Sequence, residues 1–139
     1  MKLVNRIGLL IVSVIVIYLI CVSYYDVTIK KEGKKSKKTL VAKYILKDKS
    51  PKITNFYFTY FINGTKHKTA NSGINISPEN SEFETNAINN LKLNCFYLAN
   101  FDENHPNIII INPSKQVTDA SLILKAGFNK NDIKNSIDD

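Results

Sequence analysis

Residues 7–25 constrain this chain most. They read IGLLIVSVIVIYLICVSYY, nineteen positions without a charge. As a helix rising 1.5 Å per residue the run reaches about 28 Å, close to the roughly 30 Å hydrocarbon core of a bilayer. Ser13 and Ser23 fit such a helix, because a hydroxyl can bond back to a carbonyl one turn earlier. Tyr18 lies inside the run, and Tyr24 and Tyr25 stand where an interfacial aromatic belt would form. The segment reads as a membrane helix or a signal peptide. MKLVNR is a basic leader, and Cys21, Val22 and Ser23 are smallish residues near a cleavage position. The length of the run favours a retained single-pass transmembrane anchor over residues 1–25. Ile20 precedes Cys21, where a lipid-modified cysteine needs a small residue.

The flanking charges set the expected orientation. Lys2 and Arg6 precede the run; Lys30, Lys31, Lys34, Lys35, Lys37 and Lys38 follow it. The positive-inside rule places the C-terminal domain in the cytoplasm. An N-terminal helix preceded by basic residues also exports the chain beyond it, which gives the extracytoplasmic alternative. Residues 26–38 read as a solvated polybasic linker, since so much like charge cannot pack. Its six lysines are candidate lipid contacts, each worth about 1 kcal/mol against an anionic surface. The same run serves as an orientation signal and spacer.

A net charge of +7 and a pI near 9.4 invite a nucleic-acid reading. The residue type argues against it. Arg6 is the only arginine among the 19 basic residues, and base reading and phosphate clamping lean on the planar guanidinium fork. No nucleic-acid partner is expected. Cys21 falls in the apolar run and Cys95 in the remainder, with no CxxC or Cys/His cluster to hold zinc. Cys95 reads as a buried, inert thiol.

Beyond the linker the pattern is mainly β. Residues 39–47, 53–62, 65–70, 91–101 and 107–112 read as strands, the last closed by Pro113. Ser77 and Pro78 read as a helix start leading into SEFETNAINNL, whose asparagines equally allow a loop. Thr118 caps a short C-terminal helix that ends at Gly127. The expected architecture is an N-terminal transmembrane helix, then a small antiparallel β-meander or barrel-like domain over 39–128. Residues 129–139 make a polar, frayed tail, with a single helical turn at 132–136.

The hairpin at ITNFYFTYFINGTKHK decides which side chains are core. Asn63 and Gly64 suit a type I′ turn, so Ile62 pairs with Thr65, Tyr60 with His67 and Phe58 with Thr69. That face carries Phe56, Phe58, Tyr60 and Ile62 and no charge, so it faces the core. On the other face Phe61 pairs with Lys66, Thr59 with Lys68 and Tyr57 with Ala70. Tyr57 and Phe61 beside Lys66 and Lys68 form the candidate interaction surface, unless a neighbouring element covers them. His67 reads as a core-edge histidine.

An aromatic strand ending in Asn-Gly, a polar return, and a later strand running into a Tyr-x-Pro-x-Asn-Pro turn is a recognisable pattern. Residues 39 to about 112, through NFYFTYFINGTKHK and YLANFDENHPNIIII, resemble a bacterial domain of unknown function found in small membrane-associated β proteins. Phe101 and Pro106 match the turn's aromatic and last proline; Glu103 replaces its first proline and His105 its asparagine. The resemblance implies a small β-fold at a membrane and carries no activity with it.

Catalysis needs convergent groups. The candidates are His67, His105, Cys95, Asp102 and Glu103, and no spacing brings them together; Gly8, Gly33, Gly64, Gly73 and Gly127 are too scattered for a phosphate loop. The chain therefore reads as a non-enzymatic membrane module without metal or cofactor. Its expected partners are the lipid bilayer and a protein, peptide or second copy bound at a sheet edge. The alternatives are an anionic-lipid surface protein acting through the lysines, and a membrane-anchored immunity-type protein.

Overall fold

The computed structural model describes residues 2–35 and 38–136 and, within the first helix, the side chains of residues 8, 10–25, 27 and 28. The elements are α1 (Lys2–Lys35), β1 (Thr39–Lys49), β2 (Thr54–Ile62), β3 (Thr65–Thr69), α2 (Glu82–Asn89), β4 (Phe96–Phe101), β5 (Ile109–Val117), α3 (Ala120–Lys125) and α4 (Lys130–Lys134). Residues 137–139 and the side chains of Lys30, Lys31, Lys34 and Lys35 lie outside the described set, as does Lys37 altogether.

Helix α1 corrects the expected boundaries. It does not stop at residue 25 but is 34 residues long and ends at Lys35, so residues 26–35 are helix rather than open linker. Among the described residues no helix is long and apolar enough to cross a membrane. Ser13 Oγ donates to the Leu10 carbonyl (2.8 Å) and Thr28 Oγ1 to that of Tyr24 (2.8 Å), the back-bonding that lets hydroxyls sit in an apolar helix.

The remainder is a five-stranded antiparallel sheet in the order β3-β2-β1-β4-β5. The mainly β reading thus holds. Central β1 takes the β2–β3 hairpin on one side and the β4–β5 hairpin on the other. Past β3, the carbonyls of Asn71 and Ser72 accept from the N–H groups of Ile109 (3.0 Å) and Ile111 (2.9 Å) on β5. Those two bonds draw the edges of the sheet toward each other and curl it.

The hairpin forms in the expected register, from Ile62 opposite Thr65 to Phe58 opposite Thr69. Asn63 (φ 50°) and Gly64 (φ 77°) take the positive φ of the turn. The ladder ends at Thr69, so the expected Tyr57–Ala70 pair is not made. Phe56, Phe58 and Tyr60 are at most 1% exposed, and they form one core with Ala42, Tyr44, Cys95, Tyr97, Ala99, Ile109 and Ile111. Ile62 is half-buried against it. The Tyr60 hydroxyl donates to the Pro106 carbonyl at 2.6 Å, and burial pushes its pKa up to about 12.

Sheet side chains alternate between faces, so Val41 and Phe96 point the other way and build a second core with Val117, Ile123 and Phe128. This face is roofed by α3, α4 and their connection, so residues 130–134 form a docked helix rather than frayed chain. The cap of α3 is Asp119 rather than Thr118, and Gly127 follows at φ 103°, as the C′ reading requires. Asn129 and Asp132 form a capping box on α4. Asp132 then reaches Lys43 on β1 (Nζ to Oδ1 3.0 Å), and Ile133 packs on the second core. The polar tail docks because its one acidic cap finds a buried ammonium.

Other boundaries moved for local reasons. Helix α2 begins after Ser81, whose capping box with Glu84 outcompetes the Ser77-Pro78 start. Strand β4 starts at Phe96, because Asn94 (φ 61°) turns the chain just before it. Pro113 does not close β5. The register with β4 shifts between Tyr97 and Ala99, which accommodates a residue without an N–H.

Candidate interaction site

The outward face of the β2–β3 hairpin is set by strand parity, and the structure treats its four expected residues differently. Phe61 is half-buried, its ring edge-on to Phe128 with centroids 5.1 Å apart. Gly127 lies so close that an added Cβ would stand 2.9 Å from the Phe61 ring. A neighbouring element therefore covers Phe61, and Thr59 is buried as well. Tyr57 stays half-buried with the Lys68 ammonium 5.1 Å from its ring centroid, a cation–π contact worth about 0.5–1 kcal/mol at an exposed site. Lys66 and Lys68 are exposed.

A fifth residue joins them. Leu46 stands opposite Tyr57 and is 45% exposed. Simple alternation from Tyr44 would have sent Leu46 to the core face. A register shift between Tyr44 and Leu46 reverses the parity, and no residue in that stretch signals it. What remains outward is a small apolar and cationic patch of Leu46, Tyr57, Lys66 and Lys68.

Lys43 lies on the same face and is spent on structure. It is 7% exposed, donates to the Asp132 carboxylate (3.0 Å) and carbonyl (3.4 Å), and lies 5.7 Å over the Phe96 ring. Burial pushes the Asp132 carboxyl upward, but the Asn129 N–H and the Lys43 ammonium outweigh it and hold it below its ordinary range.

The groups weighed for catalysis are engaged separately. His67 stacks on Tyr60 (centroids 5.5 Å apart, 12° between planes), the expected core-edge position. His105 meets the edge of Tyr25 on α1 at 6.0 Å. Cys95 is 3% exposed with its Sγ directed at the Ser136 carbonyl. Asp102 accepts from the Asn104 N–H within its turn (3.0 Å), and Glu103 pairs with Lys38. Among the described residues no three His, Cys, Asp or Glu side chains gather as a metal site would need. A cavity of about 590 Å³ beside α2 is lined by Phe83, Leu98, Ile110 and Pro113, and its one carboxylate, Glu84, is held in the capping box.

Of the six linker lysines only Lys38 has a described side chain. It is exposed and bridges to Glu103 between two exposed side chains, a pairing worth little by itself. Compared with known proteins, the chain matches no family model, no curated protein and no solved structure. The resemblance drawn from the hairpin and the turn rests on those residues alone.

Proposed function

We propose that this chain is a membrane-anchored, non-enzymatic interaction module. Residues 7–25 hold α1 in a bilayer, and the β-domain offers Leu46, Tyr57, Lys66 and Lys68 to a protein partner or a second copy. The observation that carries the anchor is exposure on every side of one helix. Fourteen bulky apolar or aromatic side chains from Leu10 to Val27 are 47–74% exposed. A helix apolar all round calls for lipid or protein around it. By contrast, the sheet of the β-domain buries Phe56, Phe58, Tyr60, Phe96 and Tyr97 on its two faces. The positive-inside rule puts the domain in the cytoplasm. A reporter fused after Asp139 tests that, and activity only on the outer side would reverse it. Mild-detergent pull-down of the intact chain should recover a partner or a dimer. Lys68→Glu should weaken that recovery, and equal recovery from the variant would remove the patch from the account.

A second reading is supported by the helix itself. Because α1 continues to Lys35, it carries Lys30, Lys31, Lys34 and Lys35 on a regular element beyond the apolar run. On this reading those lysines grip anionic headgroups. Protease protection of the domain on vesicles would then need anionic lipid and fall with salt.

A further inference from the structure

The end of the β-domain where β1 begins and β2 and β4 end holds a groove of about 680 Å³. Leu40, Phe61, Ile62, Leu98 and Phe101 line it as half-buried apolar side chains, with the 49% exposed Leu122 of α3 at its lip. The volume falls within the range of clefts that hold small ligands. Only two charged residues border it. Glu103 is paired with Lys38, and Lys125 sits in the last turn of α3.

The position of this groove points to its occupant. Glu103 is two residues from His105, at most about 7 Å of chain. His105 packs on Tyr25, the residue that closes the uncharged run. With α1 anchored, Tyr25 lies at the interfacial level, where the headgroup layer is itself only about 5–8 Å deep. The groove mouth is thus held beside lipid by the domain's contact with α1.

We propose that the groove takes an acyl chain of a phospholipid from the surrounding bilayer, with its phosphate at Lys125. The inference rests on the anchored reading of α1. An apolar lining suits a hydrocarbon chain, and a rim whose carboxylate is already neutralised leaves its positive charge for a phosphate.

The full chain in nanodiscs containing a phospholipid with a photoreactive acyl chain tests this directly. After irradiation, labelled peptides should come from α1 and from the segments holding Leu40, Phe61, Leu98 and Leu122. Leu122→Glu, at an exposed position that folding tolerates, should cut the domain label several-fold and leave the α1 label intact. Leu124→Glu, on the same helix but outside the groove, should change neither. Label on α1 alone overturns the groove while keeping the anchor; label on neither overturns the anchor too. Domain label indifferent to Leu122→Glu, or replaced by a crosslink to a second copy, also overturns the groove.

Discussion

Both faces of the sheet bury aromatic rings, more of them on the first, and the two recruit them from different distances along the chain. The first face is made largely by the strands themselves, with Phe56, Phe58 and Tyr60 on β2 meeting Tyr44 on β1 and Tyr97 on β4. The second face depends on a roof from the chain's far end. Phe128 wedges between Phe61 and Phe96, and Asp132 reaches Lys43 across 89 positions. The first core is intrinsic to the sheet, whereas the second is clasped on. Damage to the first should unfold the domain, and damage to the second should first loosen its roof.

The largest effect is expected from Phe58→Ala. Its ring is fully buried and stacked on Tyr44 at 5.1 Å, so the loss should be about 3–5 kcal/mol. Denaturant melts of the full chain in mild detergent would show it, and a loss under about 1 kcal/mol would break the distinction between the faces. Lys43→Met should cost about 2 kcal/mol, because it strips a charged hydrogen bond from Asp132. Hydrogen exchange should then rise in α4 (Lys130–Lys134) ahead of β2; uniform acceleration would mean that the two faces are one cooperative unit.

Acid sharpens the same contrast without a mutation. The folded Asp132 carboxyl ionises below its ordinary value, so its stabilisation is present above about pH 4 and lost as pH falls through the folded pKa. Exchange in α4 should therefore rise below that range while Phe58 and Tyr60 stay protected. At the alkaline end the sign reverses for Tyr60. Its raised pKa makes its contribution complete below about pH 10 and lost between 10 and about 12, which should open the first face. The smallest effect is expected from Gly127→Ala, about 1 kcal/mol from the positive φ and the approach to Phe61. It should act on the roof alone.

The same division explains what the sequence could tell. The first face was readable because Asn63 and Gly64 fix a two-residue turn, and alternation then assigns each side chain of β2. The second face was not, because its key partners are far apart and its acidic anchor sits in an otherwise polar tail. Leu46 was hidden for another reason, a one-residue slip in β1 that no local residue announces. Of the candidate surface, Tyr57, Lys66 and Lys68 remain outward, while Phe61 is covered by Gly127 and Phe128 of the α3–α4 connection, whose docking the local pattern could not show. The uncharged run of residues 7–25 needs no tertiary context to be seen, since its message lies in length and in missing charge.

The central claim is that this run sits in a bilayer while the β-domain folds beside it. Alkaline carbonate extraction of membranes from cells expressing the whole chain tests that most directly. The account predicts that the protein stays in the membrane pellet at its full mass of 15.8 kDa. Release into the soluble fraction, or recovery only as a shortened chain lacking residues 1–25, would contradict it.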